Sequence, residues 1–291
     1  MRYGVALPHA NRFASAAALD RMAAIIEDLG FDSLWTSDHI IVPEGSGYIP
    51  ELMLEPLAAL SHLAARTSHV TLGISVLVVP YRDPVFTAKY LSSLDVISGG
   101  RLVLGVGIGW LEQEFEALGA SFEERAAQTD EYLAVMRNLW ETETSSFQGK
   151  WKHYENMRMF PKAAPERRGT IPIWVGGNTG PAHRRAASLG DGWHPINMSP
   201  AELADGVVAY QAACAAAGRA AGPVCLRHMP GRPGGGDERA LLTGTPDEQA
   251  SDVRAYAEAG LDELMLSMPW RSLDELATSL RAFMRDVAPR V

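Results

Sequence analysis

Short apolar runs of β character alternate with helical periodicities eight times along the chain, a rhythm that few architectures accommodate. The spacing predicts strands near 3–7, 32–36, 70–77, 101–106, 171–175, 191–195, 224–229 and 261–266. Helices are predicted over 16–29, 55–66, 84–97, 122–140, 181–189, 200–217, 246–259 and 273–286. Punctuation supports the count independently. Ser121 to Glu124, Ser199 to Glu202, Thr245 to Glu248 and Ser272 to Glu275 read as S/T-x-x-E capping boxes, two of them with Pro at the first helical position. Gly30, Gly190 and Gly260 stand where a helix should stop before the next strand. Eight such units in 291 residues fit a single α/β domain over 1–291, a (β/α)8 TIM barrel, whose usual length is roughly 250 residues. A doubly wound sheet is the competing topology. Two segments, Glu141 to Thr170 after the fourth helix and Pro230 to Thr245 after the seventh strand, exceed normal loop length. The second holds a Gly-rich run, 230–236, that reads either as a surface tether or as a lid.

Charge bounds the partners. With 35 acidic against 26 basic residues, net −9, and no Lys or Arg run, a phosphate-neutralising nucleic-acid surface is not expected. No run of 18 apolar residues suggests a membrane span, and the apolar start at 3–7 is too short for a signal peptide, so the expected location is cytoplasmic. The cysteines, Cys214 and Cys225, read as two buried thiols of a reducing compartment. Neither their spacing nor the scattered His residues match a metal motif, and no G-x-S-x-G elbow occurs.

In a barrel of this kind the site forms where strands end. Six of the eight predicted ends carry His or Trp, which points to an aromatic-rich pocket. After the second strand, Asp38-His39 places a carboxylate beside an imidazole that titrates near neutrality, a candidate acid–base pair. A capping Asp with a surface His fits the same two residues. After the fifth strand, Gly176-Gly177-Asn178-Thr179-Gly180 leads into a helix bearing Arg184 and Arg185, whose N-terminus suits a phosphate; an ordinary tight turn is the alternative. Gly105 to Gly109 fits neither the dinucleotide fingerprint nor a P-loop and reads as a strand end kept open for a flat ligand.

The segments Ser33 to His39, Leu72 to Val76, Pro80 to Pro84, Leu94 to Trp110 and Ile173 to Asn178 resemble, in order, the luciferase-like monooxygenase superfamily. They are most similar to its branch dependent on the deazaflavin coenzyme F420. The resemblance implies a TIM barrel, usually a homodimer, that binds F420 or FMN at its mouth and acts on a small-molecule substrate, in some members with a separate reductase. It further implies a non-prolyl cis peptide at Ser75-Val76 backing the ring, with Asp38 and His39 at the reactive edge and His39 as the catalytic group. Gly107 and Gly109 would run under the cofactor tail, and Gly176, Gly177, Asn178 and Thr179 would hold its phosphate. The glutamates that the sugar-phosphate and alcohol dehydrogenases carry after strands 1 and 4 are replaced in those neighbourhoods by Asn11 and Trp110, so their substrates do not transfer. Nor does either cysteine stand where bacterial luciferase has its reactive thiol. Hydride transfer between F420 and an organic substrate is the leading expectation; an FMN-dependent two-component monooxygenase and a non-catalytic flavin binder are its rivals. Substrate choice is expected to lie with the loops around Tyr48, Trp151, Tyr154 and the Gly-rich segment.

Overall fold

The predicted alternation is the order of elements found. The computed structural model describes residues 1–47, 49–164, 169–229, 239–268 and 270–291. In chain order, β1 (Arg2–Ala6) leads to α1 (Ala16–Asp28), β2 (Ser33–Thr36) to α2 (Pro56–Ala64), and β3 (Thr71–Val78) to α3 (Pro84–Ser98). Next, β4 (Leu102–Gly107) leads to α4 (Glu112–Leu118) and α5 (Arg125–Glu141), before an antiparallel hairpin of β5 (Ser145–Gln148) and β6 (His153–Met157). The repeat resumes with β7 (Ile173–Gly176) and α6 (Gly180–Leu189), β8 (Gly192–His194) and α7 (Pro200–Ala216), β9 (Cys225–His228) and α8 (Pro246–Glu258), and β10 (Glu263–Leu266) and α9 (Leu273–Ala282).

The eight strands outside the hairpin pair in parallel in the order β8-β7-β4-β3-β2-β1-β10-β9. Parallel bridges Trp193–Val224 and Ile196–Arg227 bring the two ends together, so the sheet is a nearly closed barrel rather than the doubly wound alternative. Its outer face and the inward stripes of the helices share one large apolar core, including Leu34, Leu72, Leu104, Ile173, Leu226 and Leu264. Inside the barrel a smaller cluster of Trp35, Val103, Trp174, Cys225 and Met265 fills the floor. Both cysteines are buried and free. Among the described residues no helix is long and apolar enough to cross a membrane.

The caps differ in detail from the sequence pattern. Ser199–Glu202 and Thr245–Glu248 form complete capping boxes. Ser272 accepts the Glu275 N–H, but the Glu275 carboxylate accepts from Arg271 instead of closing the box. Ser121 accepts the Glu124 N–H ahead of a helix that begins only at Arg125, and a separate helix, α4, seven residues long and too short to show a periodicity, precedes it. Gly30 and Gly260 take left-handed φ, whereas Gly190 is extended.

The insertion after α5 lies along the barrel wall. Glu131 of α5 accepts the N–H groups of Lys150, Trp151 and Lys152, and the Tyr154 hydroxyl donates to Asn138. Tyr154 and Met157, with Phe86 and Lys89 of α3, line an outer groove of about 600 Å³. Trp151 and Tyr154 therefore pack along α5 and the groove beside α3, with Lys152 paired to Asp83 at the start of α3. Tyr48 and the Gly-rich run 230–236 lie outside the described residues.

Candidate active site at the barrel mouth

The chain after β2 is anchored by two buried carboxylates. Asp38, fully enclosed, accepts two hydrogen bonds from Arg82 at 2.7 and 2.8 Å and a third from the Val78 N–H at 2.9 Å. Arg82 also reaches Glu55, the N-cap of α2, at 2.8 Å. Burial would lower the Arg82 pKa, but the hydrogen bonds and charges of Asp38 and Glu55 raise it, so the guanidinium stays charged. Asp38 is thus a structural tie between β2, β3 and α2, and it does not pair with His39. This corrects the expected acid–base dyad: a short carboxylate next to an imidazole in sequence has its side chain turned to a partner 44 residues away.

The partner of His39 is Glu114 of α4, whose Oε2 lies 2.8 Å from Nδ1. Glu114 also accepts from the Ile40 and Ile41 N–H groups at 2.5 and 3.2 Å and from the Tyr81 hydroxyl at 2.9 Å. Burial alone would raise its pKa, yet the bonds from His39, Ile40 and Tyr81 outweigh it and hold the carboxyl below its usual range. An ionised Glu114 fixes the imidazole proton on Nδ1 and leaves Nε2 unpartnered among the described residues. The Trp110 ring, half exposed, meets His39 edge-on at 6.1 Å. Where the sequence seemed to lack a carboxylate after strand 4, Glu114 supplies one a turn later. Its signal was faint, one acidic residue among three on a seven-residue helix.

The Ser75–Val76 peptide bond is cis, as the resemblance implied, and the β3–β4 register shifts between Ile74 and Leu77. The Ser75 hydroxyl faces His194 Nε2 at 2.8 Å, and His194 Nδ1 lies 2.7 Å from the Cys225 carbonyl, so Nδ1 carries the proton. Val76 explains two of the candidate glycines. A Cβ on Gly107 or Gly176 would come within 2.5 and 2.9 Å of its side chain. Gly109 likewise has no room, since a Cβ there would meet Phe115 and Val78 at 2.7 Å. These three glycines make space for the protein's own side chains.

At the start of α6, Thr179 is the N-cap without a side-chain cap, and Gly177 holds a φ of +118° that disfavours any other residue. The Asn178 amide is spent on the Ile196 backbone, donating to its carbonyl at 2.7 Å and accepting its N–H at 3.0 Å. Its side chain therefore ties the β7 and β8 loops together, which leaves only its backbone N–H for the expected contact with phosphate. Arg185 is drawn away to Asp130, whereas Arg184 lies over the turn, 3.4 Å from where a Gly180 Cβ would stand. Of the predicted aromatic ends, Trp193 faces outward against Tyr210 and His183, while Trp270 lies beside Phe13. No cluster able to hold a metal ion occurs among the described residues.

His194 also gives a pH-dependent stability. Burial drives its pKa from 6.5 to about 4, aided by the charge of Arg227 and opposed by the Cys225 carbonyl. The unfolded chain therefore binds the extra proton first, and stability is full above the unfolded value and lost as pH falls from 6.5 toward 4. At 1.36 kcal/mol per unit the loss is about 3 kcal/mol. Urea unfolding between those pH values should show this slope, and His194→Gln should flatten it; an unchanged slope in the variant would refute the assignment.

Residues 1–232 match the family described as luciferase-like monooxygenase. An uncharacterised protein of Mycobacterium tuberculosis is 29% identical over 95% of both chains. An F420-dependent glucose-6-phosphate dehydrogenase of Amycolatopsis mediterranei is 30% identical over 57% of this chain and 49% of its own. An FMNH2-dependent dimethylsulfone monooxygenase of Pseudomonas fluorescens is 27% identical over 62% and 48%. In fold, the chain superposes on a monooxygenase of Streptomyces bottropensis with a TM-score of 0.81, at 24% identity over 99% of both chains.

Proposed function

Because the chain belongs to the luciferase-like monooxygenase family, whose members are oxidoreductases, we propose that it transfers hydride between F420 and a small organic substrate at the barrel mouth. The observation that carries this reading is the His39–Glu114 pair just beyond β2, with Nε2 of His39 unpartnered among the described residues. The mouth fits such a cofactor in two further respects. The uncapped start of α6 leaves first-turn amides for a phosphate, with Arg184 above them, and the lumen holds a guanidinium nitrogen, Arg227 Nε, with no partner among the described residues.

When bound, the cofactor supplies the hydride chemistry. The protein supplies the proton. His39 Nε2 gives a proton to, or takes one from, the substrate oxygen, while Glu114 holds the ring's tautomer and stabilises the imidazolium. Gly176, Gly177 and Thr179 offer backbone to the phosphate, and Gly107 and Gly109 keep the neighbouring strand end low. Ser75 and Val76 form the surface on which the ring would rest, braced from behind by His194. The half-exposed Trp110 would cover the substrate side.

Fluorescence titration of the purified protein with F420 and with FMN tests the reading. F420 should bind, and Arg184→Glu, an exposed change at the α6 start, should weaken it by about tenfold. The FMN-dependent relative sets the competing outcome: FMN binding without F420 binding, together with oxygen consumption, would replace hydride transfer by monooxygenation. Cofactor binding with no turnover of any acceptor would make it a carrier.

A further inference from the structure

Arg227, a charged residue of the lumen, has so far been given no role beyond its unpartnered Nε. It leaves β9, and its Nη1 reaches the ends of β2 and β3 across the barrel, donating to the Ser75 carbonyl at 2.7 Å and approaching the Ser37 and Ser75 hydroxyls at 3.1 and 3.4 Å. All three acceptors are neutral. Its Nε is buried and without a partner, and no carboxylate lies within salt-bridge distance among the described residues. The nearby imidazoles do not offset it. His9 and His194 are both held toward their neutral forms, by burial first and by Arg227 as well.

An uncompensated guanidinium in a low-dielectric lumen costs the free protein stability, and it repays that cost only when an anion is brought beside it. Burial lowers its pKa to about 10, so it stays charged at neutral pH. The carbonyl that Nη1 grips belongs to Ser75, the first residue of the cis bond on which the proposed ring rests, so the charge sits at the floor of that surface.

We propose that Arg227 is the counter-charge that holds the bound cofactor ring in its anionic form. The inference rests on the cofactor reading above. The ring systems concerned carry such a form near neutrality: the phenol of oxidised F420 loses its proton to give an anion spread across the ring, and reduced FMN loses one from its pyrimidine part. Arg227 would shift each equilibrium toward the anion by Coulomb attraction, with no covalent step.

The pH dependence of the visible band of bound oxidised F420 reads this directly, because the band reports phenol ionisation. Bound to the wild-type protein, the ring should ionise at a proton concentration about tenfold higher than free F420 does, and Arg227→Met should abolish the shift while Arg227→Lys keeps most of it. If FMN is the ligand that binds, the same variants are compared by affinity for reduced against oxidised FMN. The wild type should favour the reduced form by about tenfold, and the Met variant should lose that preference. An unchanged shift or ratio in Arg227→Met overturns the proposal, as does a Lys variant that falls as far as the Met variant. Arg227→Met should also fold at least as stably as the wild type by urea melting; a variant that cannot fold would make Arg227 a structural strut and overturn the proposal as well. A wild-type protein that binds neither cofactor sinks the functional reading itself, an outcome separate from binding without a shift.

Discussion

Asp38→Ala should destabilise the protein by about 3 kcal/mol, one of the largest single-residue losses available at the mouth. The substitution leaves the Arg82 guanidinium with only the half-exposed Glu55 as partner and strips the Val78 N–H of its acceptor. Removing one member of a buried pair costs far more than the pair contributes, because the surviving charge keeps its desolvation penalty. Replacing both, as Asp38→Leu with Arg82→Met, should therefore recover most of the loss. Urea unfolding of the two variants checks this. A single variant within 1 kcal/mol of wild type, or a double variant less stable than the single, would show that Asp38 is not the tie described. A ring-contacting role would instead change cofactor affinity with little effect on unfolding.

His39→Ala should lower kcat by roughly 10²–10⁴-fold with little change in stability, since the residue is partly exposed and its loss leaves Glu114 three other donors. The companion change separates chemistry from positioning. Glu114→Gln keeps the size but removes the charge that fixes the Nδ1 proton, so kcat should fall by about tenfold while KM holds. Glu114→Leu, which also strands the Ile40, Ile41 and Tyr81 donors, should lose both activity and stability. Steady-state kinetics alongside thermal melting distinguishes these outcomes, and full activity in His39→Ala would remove His39 from the mechanism.

The barrel was legible because its signals are local. A helix shows its apolar face within two turns, a cap within four residues, and a glycine stop within one, so Thr245 to Glu248 announces α8 without reference to anything distant. The strand ends were legible at the same range, and with them the neighbourhoods of His39, Ser75 and Gly177. What those residues touch was not. His39 meets Glu114 across 75 residues, Asp38 meets Arg82 across 44, and Arg227 meets Ser75 across 152. Adjacent residues such as Asp38 and His39 invite pairing on the page, yet in the folded chain each side chain is turned to a different partner.

The same division separates fold from site as a whole. Hydrophobic period and turn chemistry act within a few residues and are written into any stretch of the chain, so they suffice for eight βα units and a barrel. Hydrogen bonds and ion pairs at the mouth depend on which strand ends barrel closure brings within about 3 Å of each other, and only the register of β1 to β4 and β7 to β10 sets that. Closure made Asp38 a strut, gave His39 its carboxylate, spent the Asn178 side-chain amide on a neighbouring loop, and left Arg227 charged with no carboxylate partner among the described residues.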